Sequence, residues 1–73
     1  MEKQIEKFAR LCDVFNFRVY DNNSDYVRVE KGQFQMLIGK YLLSNDYHLI
    51  RTLLKVYSEF REYEQNRKLK RWI

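Results

Sequence analysis

The sequence predicts a small single-domain α+β fold, in which a β-hairpin packs on helices and a long helix ends the chain. Three observations predict this class. Apolar residues recur at helical spacing in residues 2–15, alternate with polar residues in residues 16–31, and return to helical spacing after residue 46. The predicted order is α-β-β-α-α, or α-β-β-β-α if the segment between the hairpin and the last helix forms a third strand. A chain of 73 residues is near the lower limit for folding alone.

The first helix is predicted over residues 2–15. Its apolar positions are Ile5, Phe8, Ala9, Cys12 and Phe15, with Leu11 widening the face. Charged residues take the other side, where Glu6 and Arg10 form a favourable pair four residues apart. The single cysteine excludes an intramolecular disulfide, and on the apolar face we interpret Cys12 as a small core residue rather than a reactive thiol.

The hairpin is predicted over residues 16–31, where the apolar period changes from helical to alternating and residues 21–25 supply the turn. On the core face, this loop would set Val19 opposite Val27 and Phe17 opposite Val29. On the outer face, it would set Tyr20 opposite Tyr26 and Arg18 opposite Arg28. The outer face would therefore gather two arginines beside two tyrosines.

The segment over residues 33–43 allows two predictions. A helix would use Phe34, Leu37, Ile38, Tyr41 and Leu42. A third strand, following a turn at Gly32, would use Phe34, Met36 and Ile38. The helix is favoured because it buries Leu37 and Leu42, which the strand would expose or leave over. Gly39 weakens that helix by about 1 kcal/mol relative to alanine.

A long helix is predicted over residues 46–70, after good N-cap residues at Ser44-Asn45-Asp46. Its apolar stripe has a 4-3-4-3 spacing and consists of Leu49, Leu53, Val56, Phe60 and Tyr63. If the helix reaches residue 70, it is roughly 37 Å long, which is longer than so small a core can cover. The stripe would pack on the chain's own first helix and hairpin, or it would join a second copy in a homodimer.

The net charge of +4 is concentrated at the C-terminal end. Acids and bases cancel as far as residue 31, and residues 61–73 contribute +3. The candidate binding residues of this end are Arg61, Arg67, Lys68, Lys70, Arg71 and Trp72. Basic side chains neutralise phosphates, and an indole can stack on a base. The same charges would also offset the negative pole of a helix dipole without binding anything.

The outer hairpin face is the second candidate surface, with Arg18, Tyr20, Tyr26 and Arg28. Arginines beside aromatic rings suit a platform for single-stranded nucleic acid. Tyrosine and arginine are also enriched in protein–protein hot spots. The alternative is that Glu30 and the loop aspartates simply neutralise the arginines.

The sequence allows two further modes of nucleic-acid binding. Residues 33–55 permit a helix-turn-helix, in which Tyr47, His48, Arg51 and Lys55 would line the recognition helix. An α-β-β-β-α order would instead resemble double-stranded-RNA-binding domains. Those domains carry a basic, glycine-containing run at the start of the last helix, where this chain has Ser44-Asn45-Asp46-Tyr47. That family is therefore not assigned.

The sequence thus predicts a small non-catalytic regulatory protein that contacts nucleic acid through its basic C-terminal helix and its hairpin face. The alternative is a protein-binding inhibitor or adaptor that docks on an acidic partner, a type found among phage and mobile-element accessory proteins. Catalysis is not expected, because His48 has no recognisable nucleophile partner and the two glycines form no phosphate loop. No cofactor, metal site or membrane span is predicted, and no signal peptide is recognised, so a cytoplasmic location is expected.

Overall fold

The computed structural model describes residues 2–21 and 24–72, with side chains described for residues 3–21 and 24–66. The elements of these residues are α1 (Glu2–Val14), β1 (Arg18–Asp21), β2 (Tyr26–Lys31), β3 (Phe34–Gly39), a 3₁₀ helix (Lys40–Leu43) and α2 (Asp46–Trp72). The three strands form an antiparallel sheet in the order β1-β2-β3. This arrangement confirms the α+β class and both of the predicted terminal helices.

The third segment is a strand, so the favoured prediction of a helix was wrong and the alternative order α-β-β-β-α is the observed one. Gly32 has a φ of +61°, and the two-residue turn that it begins returns the chain directly along β2. In the strand, Phe34 and Ile38 are buried, while Leu37 is 68% exposed. The 3₁₀ helix then buries Leu43, so the apolar end of the segment still reaches the core.

The hairpin register differs from the predicted one by two residues. Arg18 lies opposite Glu30 and Tyr20 opposite Arg28, instead of the predicted pairs Arg18–Arg28 and Tyr20–Tyr26. The predicted pairs Val19–Val27 and Phe17–Val29 are likewise wrong, and the observed pairs are Val19–Val29 and Asp21–Val27. A shift of two keeps each side chain on its predicted face, since side chains alternate along a strand. It also separates the two arginines, and like charges directly opposite each other are destabilising.

The end of α1 is a turn that directs the chain into the sheet. Asn16 adopts the left-handed conformation with a φ of 65°, which asparagine tolerates better than most residues. The N–H of Asn16 donates to the Asp13 carbonyl at 2.9 Å, and the N–H of Phe17 donates to the Cys12 carbonyl at 3.0 Å. These two bonds make a Schellman motif. Phe17 is thereby brought into the core just before β1 begins.

The two α-helices run in the same direction and cover one face of the sheet. Lys7 Nζ pairs with Asp46 Oδ1 at 3.0 Å where α2 begins. Further along both helices, the rings of Phe15 and Tyr57 lie 5.7 Å apart. The core between helices and sheet contains Ile5, Phe8, Cys12, Phe17, Val27, Val29, Phe34, Ile38, Leu43, Leu49, Leu53 and Val56.

The 4-3-4-3 stripe of α2 packs within the chain. Leu49, Leu53 and Val56 are buried, and Phe60 and Tyr63 are partly buried against the same core. These side chains are therefore not the free surface that the predicted dimer through this stripe would need, while dimerisation itself stays a prediction. Although α2 has 27 residues, no helix in the described part of the chain is long and apolar enough to cross a membrane.

Candidate functional site

The face of the sheet that the helices do not cover carries the predicted hairpin residues. Alternation along the strands points these side chains away from the buried valines Val27 and Val29. We call this surface the open face, and its members are Arg18, Tyr20, Tyr26, Arg28, Glu30, Gln35 and Leu37. The structure therefore places all four predicted hairpin residues on one surface.

Arg28 is central to the open face. Its guanidinium carbon lies 5.1 Å from the centroid of the Tyr20 ring, within the range of a cation–π contact. Its Nε atom also forms an ion pair with the Glu30 carboxylate, so Glu30 offsets part of the positive charge. Arg18 is exposed opposite Glu30 and forms no ion pair with any described residue. One of the two arginines is thus neutralised and the other is not.

A third tyrosine extends the open face, although its position in the sequence did not indicate this. Gly39 lies opposite Tyr26, and the Tyr41 ring lies over it so closely that a Cβ atom would be 2.8 Å from Tyr41 Cδ1. Gly39 is consequently buried, whereas Tyr41 is 72% exposed. Because a glycine within a strand often marks such a close approach, Gly39 was the signal that could have indicated this contact.

Arg51, Lys55 and Arg61 lie on α2, which covers the opposite face of the sheet. Arg51 Nη1 donates to the Tyr47 hydroxyl at 2.8 Å, and its guanidinium lies 5.6 Å from the same ring. Arg61 lies 5.9 Å from the ring of Tyr57. The structure therefore does not bring these three predicted binding residues onto the open face.

The remaining predicted binding residues are Arg67, Lys68, Lys70, Arg71 and Trp72. The helix α2 extends over them, but their side chains lie outside the described residues. Whether the basic end of α2 and the open face act together is consequently still a prediction.

The two other modes of nucleic-acid binding can be compared with the fold. The prediction of a helix-turn-helix was wrong, because β3 and a single 3₁₀ turn lie where its first helix would be. The observed order of elements along the chain, α-β-β-β-α, is the one that resembles double-stranded-RNA-binding domains. However, α2 begins with Asp46, and its carboxylate is paired with Lys7. The start of α2 thus has an acidic residue where those domains have a basic run.

The titratable groups with shifted pKa values lie away from the open face. Burial raises the pKa of the Cys12 thiol to about 12, so the side chain is a neutral core residue, as the sequence predicted. Hydrogen bonds from Lys7 and Gln4 lower the pKa of the exposed Asp46 carboxyl. His48 is exposed at the start of α2. Within the described residues, no group of three or more histidine, cysteine or acidic side chains is arranged to hold a metal ion.

Comparisons of the chain with known protein families, curated proteins and solved structures find no match. The interpretation of the open face therefore depends on its own residues. It has exposed tyrosines at 20, 26 and 41, one arginine without an ion pair and one arginine paired with Glu30. This combination offers stacking surface together with a modest positive charge.

Proposed function

We propose that this protein is a non-catalytic regulatory protein that binds single-stranded nucleic acid in the cytoplasm, on the open face of its sheet. The observation that supports the proposal is the exposure of Tyr20, Tyr26 and Tyr41 beside Arg18 and Arg28 on one uncovered surface. The basic C-terminal part of α2 adds phosphate contacts in this proposal.

The tyrosines supply the stacking. Tyr20 on β1 lies opposite Arg28 on β2, and Tyr26 lies two residues before Arg28 on β2. The two tyrosines are therefore diagonal neighbours across the strands. Diagonal neighbours of this kind are roughly 7–8 Å apart, so the two rings can take two different bases. Stacking on an aromatic side chain contributes about 1–3 kcal/mol per base and tolerates any base. The expected binding is therefore weakly dependent on sequence.

The arginines supply the phosphate contacts. Arg18 is free to contact a phosphate, whereas Arg28 must exchange its contact with Glu30 for one with the ligand. Replacing Glu30 with glutamine should therefore tighten binding several-fold, because it removes a negative charge from the phosphate path and releases Arg28. The Arg18→Gln variant should weaken binding and reduce its salt dependence.

The test is a fluorescence-anisotropy titration of labelled single- and double-stranded DNA and RNA at about 50 and 200 mM salt. We expect binding to single strands that weakens by one or more orders of magnitude across that range. The Tyr20→Ala and Tyr26→Ala variants should each weaken it by roughly 5- to 100-fold, which corresponds to one lost stacking contact.

The matched control is Tyr47→Ala. Tyr47 is 63% exposed, but it lies on α2 rather than on the open face. The control should bind like the unmodified chain. Equal losses in all three tyrosine variants would place the site elsewhere, and the absence of binding at both salt concentrations would overturn the proposal.

A second function, docking on a partner protein, is favoured by Leu37 and Glu30. Leu37 is 68% exposed in the middle of β3, and a nucleic-acid platform has no evident use for it. Glu30 neutralises Arg28, which helps a protein interface more than a phosphate contact. Nuclease-resistant capture of one stoichiometric protein, lost in both Tyr26→Ala and Leu37→Ala, would support this function over the first.

A further inference from the structure

We infer that the outer edge of β3 and the adjoining flank of α2 form a self-complementary surface, and that the partner it fits is a second copy of this chain. The two sheets would join through antiparallel pairing of β3 with its symmetry mate. The two α2 helices would then lie side by side in opposite directions. This inference does not depend on nucleic-acid binding.

The backbone of β3 has an open edge. Lys40 N–H donates to the Asp25 carbonyl at 2.8 Å, which fixes the alternation of hydrogen-bonded pairs between β2 and β3. By that alternation, the N–H and C=O groups of Gln35 and Leu37 point away from β2. Outside the sheet itself, no hydrogen bond among the described residues reaches either backbone.

The two edges of the sheet differ in how they are protected. β1 has only four residues and includes Arg18 and Asp21, and short, charged edges discourage pairing with another chain. β3 has six residues, Phe34–Gly39, with no charged residue and no proline. An unprotected edge of this kind is a template for a further strand.

The flank of α2 beside β3 is divided by charge. Toward the end of β3, a groove is lined by Leu37 and Ile38 together with Arg51 and Lys55. Toward the beginning of β3, a second groove is lined by Phe34 and Gln35 together with Glu59 and Glu62. The basic half thus lies beside one end of the strand and the acidic half beside the other.

These four charged residues have no ionic partner inside the described chain. Arg51, Lys55, Glu59 and Glu62 are all exposed, and none of them belongs to an ion pair between described residues. Arg51 donates to the Tyr47 hydroxyl and lies over the ring of the same residue, and neither contact is an ion pair. Their charges are therefore available to a partner.

A single two-fold axis would relate both the two β3 strands and the two α2 helices. Reversing α2 against its copy sets Arg51 near Glu62 of the second copy and Lys55 near Glu59 of the second copy, and each pair occurs twice. The middle of this charge pattern lies near Val56. The same two grooves place the middle of β3, near Met36, beside that point. An interface with one patch on both copies is what a two-fold dimer requires.

The experiment is sedimentation equilibrium of the full chain without nucleic acid, from low micromolar to near-millimolar concentration. The unmodified chain should form a dimer. The double variants Arg51→Glu/Lys55→Glu and Glu59→Lys/Glu62→Lys should each raise the dimer Kd by roughly 10- to 100-fold, because like charges then face each other.

A mixture of the two double variants and a quadruple variant make the test specific for these charge pairs. An equal mixture of the two double variants should form heterodimers, since one copy then has four acids and the other four bases along the flank. The quadruple variant, with all four charges reversed in one chain, should dimerise like the unmodified chain. Arg61→Glu, on the opposite flank of α2, is the control and should leave the dimer unchanged.

Circular dichroism establishes that each variant is folded. If a double variant does not fold, the single variants Lys55→Glu and Glu59→Lys carry the same comparison. A chain that is monomeric over the whole range overturns the inference. A dimer that is insensitive to these charges also overturns it, because the copies would then meet through another surface.

Discussion

The two faces of the sheet share the same strands but differ in what their side chains do. On β2, Val27 and Val29 have no exposed surface, while their neighbour Arg28 is partly accessible and Tyr26 is 53% exposed. The covered face provides the burial that stabilises the fold, and the open face adds little to it. The stability of the fold therefore depends mainly on the covered face, while the side chains of the open face remain accessible.

The first prediction compares how much each face contributes to the free energy of unfolding, and its effect should be the largest. Phe17 is 2% exposed, and its ring lies 5.4 Å from that of Phe60. Phe17→Ala should lower the free energy of unfolding by about 3–5 kcal/mol, measured by urea denaturation. Tyr26→Ala, on the open face, should lower it by less than about 1 kcal/mol. If Phe17→Ala leaves no folded state, Phe17→Leu gives the same ordering, and similar losses on the two faces would contradict it.

A second prediction concerns alkaline pH and the covered side. The pKa of Cys12 is raised from 9.0 to about 12 by burial, so the folded state disfavours the thiolate. Its stabilising effect is fully present below about pH 9 and is lost as the pH rises toward 12. The unmodified chain should therefore lose more stability than Cys12→Ala between those pH values. Parallel curves of unfolding free energy against pH would count against the burial of the thiol.

A third prediction concerns whether the charge of Lys31 stabilises the covered face. Its Nζ atom lies 4.6 Å from the Phe60 ring centroid and 5.1 Å from that of Phe17, and it donates to the Phe15 carbonyl at 3.0 Å. Lys31→Met keeps the apolar stem and removes the charge, so thermal denaturation should show a loss of about 1 kcal/mol. Lys3→Met, at an exposed position of α1, should change stability by at most about 0.5 kcal/mol.

A substitution at Gly39 tests the contact between this residue and the Tyr41 ring on the open face. A Cβ atom here would collide with the Tyr41 ring, but this ring is exposed and can move aside. Gly39→Ala should therefore lower the free energy of unfolding by less than about 1 kcal/mol, and the loss should disappear in a Tyr41→Ala background. A double-mutant cycle measures this coupling. Equal losses in the two backgrounds would mean that the ring contact is not the cause.

The smallest expected effect is acid-dependent and lies outside both faces. Lys7 and Gln4 lower the pKa of the exposed Asp46 carboxyl. The stabilisation is present above the ordinary value of 3.8 and is lost as the pH falls through the lowered pKa. At neutral pH, the unmodified chain should be slightly more stable than Asp46→Asn, and the gap should close in acid. A gap that persists at pH 2 would point to another cause.

The errors made from the sequence share one physical origin. The run Phe34–Gly39 contains four apolar residues, three of them consecutive, and such a short run fits a buried strand or a short helix equally well. The decision was made by β2, whose backbone needed a partner along the edge that β1 left free. The register error arose in the same way, because pairing across the sheet decides which residues close the loop between β1 and β2.

The candidate site was only partly predictable for the same reason. Alternation was enough to place Arg18, Tyr20, Tyr26 and Arg28 on one face, since a register shift of two does not change the face. Tyr41 joins that face through a turn and a contact over Gly39. The glycine marks a close approach, but nothing in the residue spacing says which side chain makes it. The pairing of Arg28 with Glu30 is one of the two outcomes that the sequence left open, since residues two apart on a strand share a face.

The periodic elements can be predicted from the order of residues alone, because the burial of one side of a helix or strand leaves its period in that order. The order of residues predicts α1, the hairpin faces, the buried stripe of α2 and the basic C-terminal end. Four features became clear only from the folded chain: the third strand, the pairing register, the third tyrosine of the open face, and the division of the α2 flank into a basic and an acidic half beside β3. These features depend on which residues distant in the chain become neighbours, and a local pattern does not contain that information.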